Sequence, residues 1–334
     1  MRLPLLHGND PVPLSPMSPS ISLRTPGSPV LRAFLALLLG GAAACGVIQH
    51  QGVIVFGSPD SPRMRIAIAG LESRLGEGPL TVIWASGSGE GAREQLRQIQ
   101  GRRPRLLVVL GTPALISVAP VEKRIPVVFA LVGDPYSTGA AYDPAHPEIH
   151  QENVTGIASP PPLKAALAQG ARLLGPRAWG LLYDPNDGVA VELKERFLKE
   201  APLLGLKPLT AASTEAAGDR RGLEELLARG ATVFYLPPAA SAARYAPLLL
   251  DWGREGKVMV VSSLPEGSHA GALLWVALDY RALGEEAGAL AARVLKGEKP
   301  ARIPIEEKTP LRVEVDESLL RRWCGYPPGP KYSF

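Results

Sequence analysis

Residues 126–140, PVVFALVGDPYSTGA, constrain the fold more than any other stretch of this chain. From Val127 to Val132 every residue is apolar, β-branched types are frequent, and the run is too short for a buried helix. It breaks at Gly133-Asp134-Pro135, followed by small hydroxyl residues and another glycine. A central strand of an open parallel sheet, buried on both faces and ending at a loop that presents a carboxylate, has this pattern. In such sheets ligands sit just beyond the carboxyl ends of the strands. The pattern returns at 178–190, AWGLLYDPNDGVA. Two strands ending in Asp-Pro, one in each half of the chain, suggest two lobes facing a shared ligand.

The rest of the chain alternates strand and helix. Val53–Phe56, Leu80–Trp84 and Leu106–Leu110 read as strands that precede the one at 127–132. Between them, Ser61 and Pro62 open a helix whose Met64, Ile68, Leu71 and Leu75 share one face, and Ala92, Leu96 and Ile99 line another. Thr112 is positioned to cap a third. NVTGIA (153–158) reads as the hinge strand that leaves the first lobe, so the chain divides near 157. In the second half, helices are expected at Leu163–Leu174, from 188 with Val189, Leu193, Phe197 and Leu204 inward, at Gly222–Ala228, through Leu248–Trp252, and at 281–296. Strands are expected at Trp179–Tyr183, Leu206–Leu209, Thr232–Leu236, Val258–Val261 and Ala272–Leu278, with extended segments over 303–315. This alternation is the signature of parallel α/β sheets.

Before this pattern starts, residues 1–29 are rich in Pro and Ser and read as disordered, or as an upstream extension of the reading frame. Arg32, the apolar run AFLALLLG (33–40) and GAAAC ending at Cys45 then make a secretory signal, too short to span a bilayer comfortably. Ala42-Ala43-Ala44-Cys45 resembles a bacterial lipoprotein box, with Ala42 where Leu is usual; a cleaved signal with an incidental Cys is the alternative. Two or three acyl chains on Cys45 would anchor the chain stably.

Bulk composition excludes more than it assigns. With 334 residues, 46% of them apolar, and a mean hydropathy of +0.07, the chain is long enough for two globular domains and is not a disordered polymer. Its net charge of +4 is spread without aromatic interleaving, and GRRPR (101–105) is isolated, so no nucleic-acid partner is expected. Two cysteines and five scattered histidines lack metal-ligand spacing, so neither a metal nor another cofactor is expected. No nucleophile elbow, phosphate loop, dinucleotide fingerprint or HExxH is present, and no catalytic residue is assigned. Small polar residues recur instead where strands give way to helices: Ser58 and Ser61, Thr112, Ser137 and Thr138, Asn186 and Asp187. Free N–H groups at helix starts suit a ligand carboxylate, while Asp134, Asp184 and Asp279 could each receive an ammonium group. The bland reading of each single residue is a cap or turn former.

NVTGIA, LLYDPND, GALLWVALDYRALGEEA and VLKGEKPARIPIE, with GTPA and PVVFALVGDP, resemble the ABC-transporter substrate-binding lipoproteins of the tryptophan/tyrosine-transporter type over most of residues 50–320. The resemblance implies a type I periplasmic-binding-protein fold: two Rossmann-like lobes with parallel sheets, joined by three hinge crossovers, with the ligand in the cleft. Lobe I would comprise 46–157 plus about 279–303, and lobe II 158–278 plus about 304–334, after a leader over 1–45. It implies a non-enzymatic solute-capture protein, exported and lipid-anchored at the periplasmic or cell-surface side, monomeric, that delivers a small molecule, an amino acid or even an aromatic one, to a membrane permease. By position, Thr112, Asp134, Asn186 and Asp279 fall where that family lines its cleft. Ser58, Tyr136, Ser137 and Tyr183 join them on the strand-end argument alone, a tyrosine being suited to cover an apolar or aromatic group. The chain departs from the family at Pro237-Pro238-Ala239-Ala240-Ser241, where an Asp is frequent, and after Asn186-Asp187-Gly188, where a Ser is usual. Two rivals remain: the ligand-sensing domain of a regulator with the same fold, and an exported α/β hydrolase.

Overall fold

The computed structural model describes residues 52–75, 80–86, 90–264 and 271–324. The leader with Cys45 lies outside them, as do His50 and His269. In chain order the first half contains β1 (Val53–Gly57), α1 (Pro62–Leu75), β2 (Leu80–Trp84), α2 (Glu90–Arg102), β3 (Leu106–Leu110), α3 (Thr112–Val118), β4 (Val127–Val132) and β5 (Val154–Ala158). There follow α4 (Leu163–Leu174), β6 (Ala178–Tyr183), α5 (Gly188–Glu200), β7 (Lys207–Ala212), α6 (Ala216–Ala228), β8 (Val233–Leu236), α7 (Ala242–Arg254), β9 (Met259–Ser262) and β10 (Leu274–Leu278). The chain then adds α8 (Tyr280–Leu295), β11 (Glu306–Glu307), β12 (Leu311–Val315) and α9 (Glu317–Cys324).

These strands form two sheets, β11-β5-β4-β3-β1-β2 and β12-β10-β9-β8-β6-β7. The first is parallel throughout. The second is parallel except for its edge strand β12, which runs antiparallel to β10. Alternation along the buried strands serves both faces of each sheet. Ile54, Phe56, Leu107, Val109 and Phe129 pack with α2 and α3 residues on one face of the first sheet. Val53, Val55, Leu106, Val108 and Val128 pack with Leu71 of α1 and Leu283, Ala287 and Leu290 of α8 on the other. Trp179, Leu181, Tyr235 and Val261 face α4 and α5 in the second sheet, while Leu182, Phe234 and Val260 face α6 and α7.

The chain passes between sheets three times. It leaves β5 through Ser159-Pro160-Pro161-Pro162, returns at Asp279 when α8 packs on the first sheet, and crosses again between β11 and β12. The first-sheet strand at 306–307 puts this last crossing at 308–310, a few residues beyond the expected 303. The crossings are bonded to one another and to the strands: Asp279 N–H to Pro310 O at 2.8 Å and Lys308 N–H to Ala158 O at 2.9 Å.

Local departures from expectation have physical causes. Thr112 does not cap α3; Gly111, with φ 93°, holds the cap position and Thr112 is the first helical residue. Helix α6 begins six residues earlier than Gly222, and α7 begins at Ala242, carrying Pro247 inside it. Val189 lies in the first turn of α5 and Leu204 in a 3-10 turn beyond its end, so both leave the buried stripe.

Helix α8 meets α1 through small residues. A Cβ on Gly70 or Gly284 would fall on the backbone carbonyl of Arg281 or Ala67, and one on Gly288 would lie 2.5 Å from Leu71 O. Gly284→Ala is therefore expected to lower stability by about 2 kcal/mol. Gly101→Ala, at an α2 site with no heavy atom near its would-be Cβ, is expected to raise it by about 0.5 kcal/mol. Urea denaturation of the two variants beside the wild type measures both.

A charged knot holds the second lobe's rim. Arg244 of α7 donates from Nε (2.7 Å) and Nη2 (3.1 Å) to the two oxygens of Asp219 in α6. It also donates from Nη1 to Asp184 at 3.0 Å and from Nη2 to Ser213 O at 3.1 Å. Asp184 thus spends its charge internally and is removed from the candidate ammonium partners. The Asn186 N–H and the Arg244 guanidinium, against some opposing burial, hold the Asp184 carboxyl below its ordinary 3.8. A carboxyl lowered in the folded state stabilises the fold fully above the unfolded value, and loses that contribution as the pH falls through the folded one. Arg244→Met is therefore expected to lower Tm by several degrees at pH 7, with the gap to wild type narrowing below pH 3.8. A calorimetric pH series measures the gap.

Candidate functional site

The carboxyl ends of both sheets' strands face a cleft of about 620 Å³, within the usual range for small-molecule sites. The ladders of the sheets extend one bond past the strands to fix its floor. Ser58 N–H bonds Leu110 O at 2.8 Å, Gly111 N–H bonds Ala130 O at 2.9 Å, and Ser159 N–H bonds Val132 O at 2.7 Å. On the second sheet Ser263 N–H bonds Leu236 O at 2.9 Å. All four residues line the cleft. A Cβ at Gly111 would collide with the Ser58 side chain, and its φ of 93° also favours glycine.

β4 enters the cleft with an irregular end. Its register against β5 slips between Phe129 and Val132, which inserts one extra residue, and Leu131 has φ 58°. A non-glycine residue in the left-handed region costs on the order of 1–3 kcal/mol, and such strain clusters at functional sites. The bulge turns Leu131, Gly133 and Asp134 to the cleft wall. Asp134 Oδ1 accepts the N–H groups of Tyr136 (2.9 Å) and Ser137 (3.3 Å), while Ser137 Oγ donates back to Asp134 O at 3.1 Å. This leaves Oδ2 without a partner among the described residues.

The hydroxyls of Ser58 and Ser159 are buried, and neither has a hydrogen-bond partner among the described residues. A buried hydroxyl left unbonded costs about 1–3 kcal/mol, so both await a polar group from the cleft. Neither touches a base that would activate it, and what the arrangement offers is recognition through hydrogen bonds and charge. Among the described residues no group of three or more His, Cys, Asp or Glu could hold a metal ion.

The second lobe supplies Asp187, Gly188, Val189, Glu192, Pro238 and Ser263. Asp187 caps α5, accepting Val189 N–H at 3.0 Å and Ala190 N–H at 3.3 Å on one oxygen, and Ser241 N–H at 2.9 Å on the other. Burial opposes its ionisation, but these donors outweigh burial and lower its pKa. Leu278 and Tyr280 complete the wall at the second crossing.

Of the eight binding residues expected from sequence, Ser58, Thr112, Asp134 and Ser137 come together in this cleft. The other four do not line it. Tyr136 packs against the first-lobe core, and burial, then the charges of Asp134, Glu307 and Asp143, raise its pKa. Tyr183 packs on the second-lobe core with Lys194 Nζ 5.2 Å from its ring centre. Asn186 is an exposed turn residue that donates its N–H to Asp184, and Asp279 caps α8 through Ala282 N–H at 3.0 Å. Arg63, Ser159, Glu192 and Ser263 were missed. Arg63 left one signal: α1 has no acid in its first turn, where the helix dipole favours one, and carries an arginine there.

A second depression, of about 490 Å³, lies at the opposite ends of β3 and β4 between Gln100 and Pro126. Its buried acid Glu122 is already bonded to Arg124 N–H, Ile125 N–H and Gln100. It offers a ligand little, so the strand-end cleft is the candidate site.

The fold recurs in solved structures. A ligand-free, open substrate-binding protein with adhesive properties from Clostridium difficile is 18% identical, with a TM-score of 0.73 over 83% of this chain and 96% of that one. An ABC domain from Streptococcus pneumonia, solved with L-Trp, is 20% identical, with a TM-score of 0.66 over 82% and 94%. A LacI transcriptional regulator from Lactobacillus brevis is 15% identical, with a TM-score of 0.57 over 78% and 99%. No curated protein matches the chain by sequence. Residues 81–322, well over half of the chain, match the family profile described as ABC transporter substrate binding protein. The chain, with its two α/β lobes around a strand-end cleft, belongs to the ABC-transporter substrate-binding protein family and is the solute-capturing component of such a transporter.

Proposed function

We propose that the cleft takes a compact polar solute of amino-acid size, and that the two lobes close on it before the chain docks on its permease. The observation that carries this reading is the pair of buried, unbonded hydroxyls, Ser58 and Ser159, beside an Asp134 carboxylate with one oxygen free. In this reading Asp134 receives an ammonium or hydroxyl group, and Thr112 and Ser137 add hydrogen bonds. With Tyr136 and Tyr183 turned into the cores, Tyr280 is the aromatic ring left at the wall among the described residues, which favours a small polar solute over an aromatic one. Ligand contacts made by both walls only in the closed form supply the differential free energy that closure requires. The chain acts as a monomeric binding protein without catalysis.

Native mass spectrometry of protein purified without added ligand is expected to show a bound small molecule that denaturation releases. Asp134→Asn keeps an acceptor for the turn and removes the charge, so it is expected to weaken binding of that solute by about tenfold or more. Unchanged calorimetric affinity would remove Asp134 from the site.

We propose further that the chain is exported and held at the membrane by acylation of Cys45. Cys45→Ser is expected to move the protein from the membrane fraction to the soluble extracytoplasmic one and to abolish metabolic labelling with palmitate. Recovery of the wild type as a soluble cytoplasmic protein would instead favour the sensing-domain reading, for which the LacI-type fold offers precedent.

A further inference from the structure

We propose that Arg63, with Ser58 and the first turn of α1, forms a carboxylate-binding subsite on the first-lobe wall of the cleft. The proposal rests on the reading of the cleft as the solute site and names the chemistry of one end of the solute. Arg63 is half-buried and lines the cleft. Among the described residues its guanidinium has neither a hydrogen bond nor an ion pair, whereas Arg65, two residues on, is tied to Asp60. Ser58 lines the same cavity, is only 6% exposed, and its Oγ is unbonded.

The position of Arg63 makes its lack of a partner informative. The first turn of a helix carries partial positive charge, so a cation there is disfavoured unless an anion joins it. α1 has fourteen residues and no acid in that turn. An anion placed there would meet the guanidinium, the Ser58 hydroxyl and the positive end of the helix together.

Charge decides which anion fits. The other charged residues of the wall are Asp134, Asp187 and Glu192. Asp187 already accepts three N–H groups, and Glu192 lies 3.8 Å from Arg196. A phosphate dianion would set two negative charges against one free guanidinium in a wall otherwise acidic. A carboxylate brings one charge, and its two oxygens match the guanidinium fork. Asp134 then faces the solute's cationic or hydroxyl end.

The test uses the full chain and calorimetric titration with the standard L-amino acids, each beside its carboxamide, and with myo-inositol as a polyol lacking a carboxylate. Any acid that binds is expected to bind about tenfold or more tightly than its amide. Arg63→Gln is expected to remove that preference by weakening the acid alone, and Arg63→Lys to restore part of it. Equal affinity for acid and amide, or an acid affinity untouched by Arg63→Gln, would overturn the subsite. Binding of myo-inositol but of no acid would leave solute capture standing and the carboxylate subsite refuted. If no probe binds and denaturation releases no solute, both readings fall.

Discussion

Parallel strand pairing is the constraint on which the site depends. Neighbouring parallel strands cannot be joined by a tight turn, so each needs a crossover that carries the chain back to the same edge of the sheet. Every strand of the first sheet, and every one but β12 in the second, therefore ends on the same edge as its neighbours. The three crossings at 159–162, 279 and 308–310 turn those two edges toward one cleft. The crossovers also bury both faces of each sheet, which is why β1, β3 and β4 are almost wholly apolar.

That same burial made the fold legible in the sequence. An apolar run such as Val127–Val132 has no solvated face to confuse its period, and Gly-Asp-Pro marks where it stops, as Tyr-Asp-Pro does for β6. The losses fall where packing or local hydrogen bonding overrode the period. Helix α6 starts early at Ala216, a polar stretch anchored by the ion pair of buried Asp219 with Arg244. Val189 looked like a core residue of α5 and lines the cleft instead. At the site, strand-end position was legible and side-chain allegiance was not. Ser58 and Asp134 reach the cleft, but Tyr136 and Tyr183 find more apolar contact in the cores. Arg63 opens a helix whose strongest sequence signal is its apolar stripe, and only a guanidinium unpartnered among the described residues separates it from an ordinary surface arginine.

Strain and unsatisfied polarity occur at the cleft, though not there alone: Arg103, at the opposite depression, has φ 48°, and the buried Trp179 Nε1 and Gln169 Oε1 are unbonded among the described residues. At the cleft stand Leu131 at φ 58°, Gly111 pressed against Ser58, and three buried hydroxyls without partners among the described residues, those of Ser58, Ser159 and Ser263. At the other ends of the strands, the buried Glu122 is bonded by two backbone N–H groups and Gln100. Unmet groups at the cleft are what a binding site requires, since groups satisfied by the protein itself have little left to offer a solute.

The two walls also differ in how much they have left to offer. The second lobe's rim is largely bonded before any ligand arrives: Asp187 holds three N–H groups, and Asp184 and Asp219 share Arg244, while the buried Ser263 hydroxyl is unbonded among the described residues. The first lobe keeps Ser58, one oxygen of Asp134 and the Arg63 guanidinium free among the described residues. On the proposed reading, a solute therefore docks first on the first lobe, where each contact relieves an unmet demand. Closure then adds contacts from a second wall that is already rigid. Because that rim does not have to reorder, less of the binding free energy is spent on fixing it. On the same reading the lobes move as bodies about the crossings bonded through Asp279, Pro310, Lys308 and Ala158, and the solute's span between the walls sets how far closure can go.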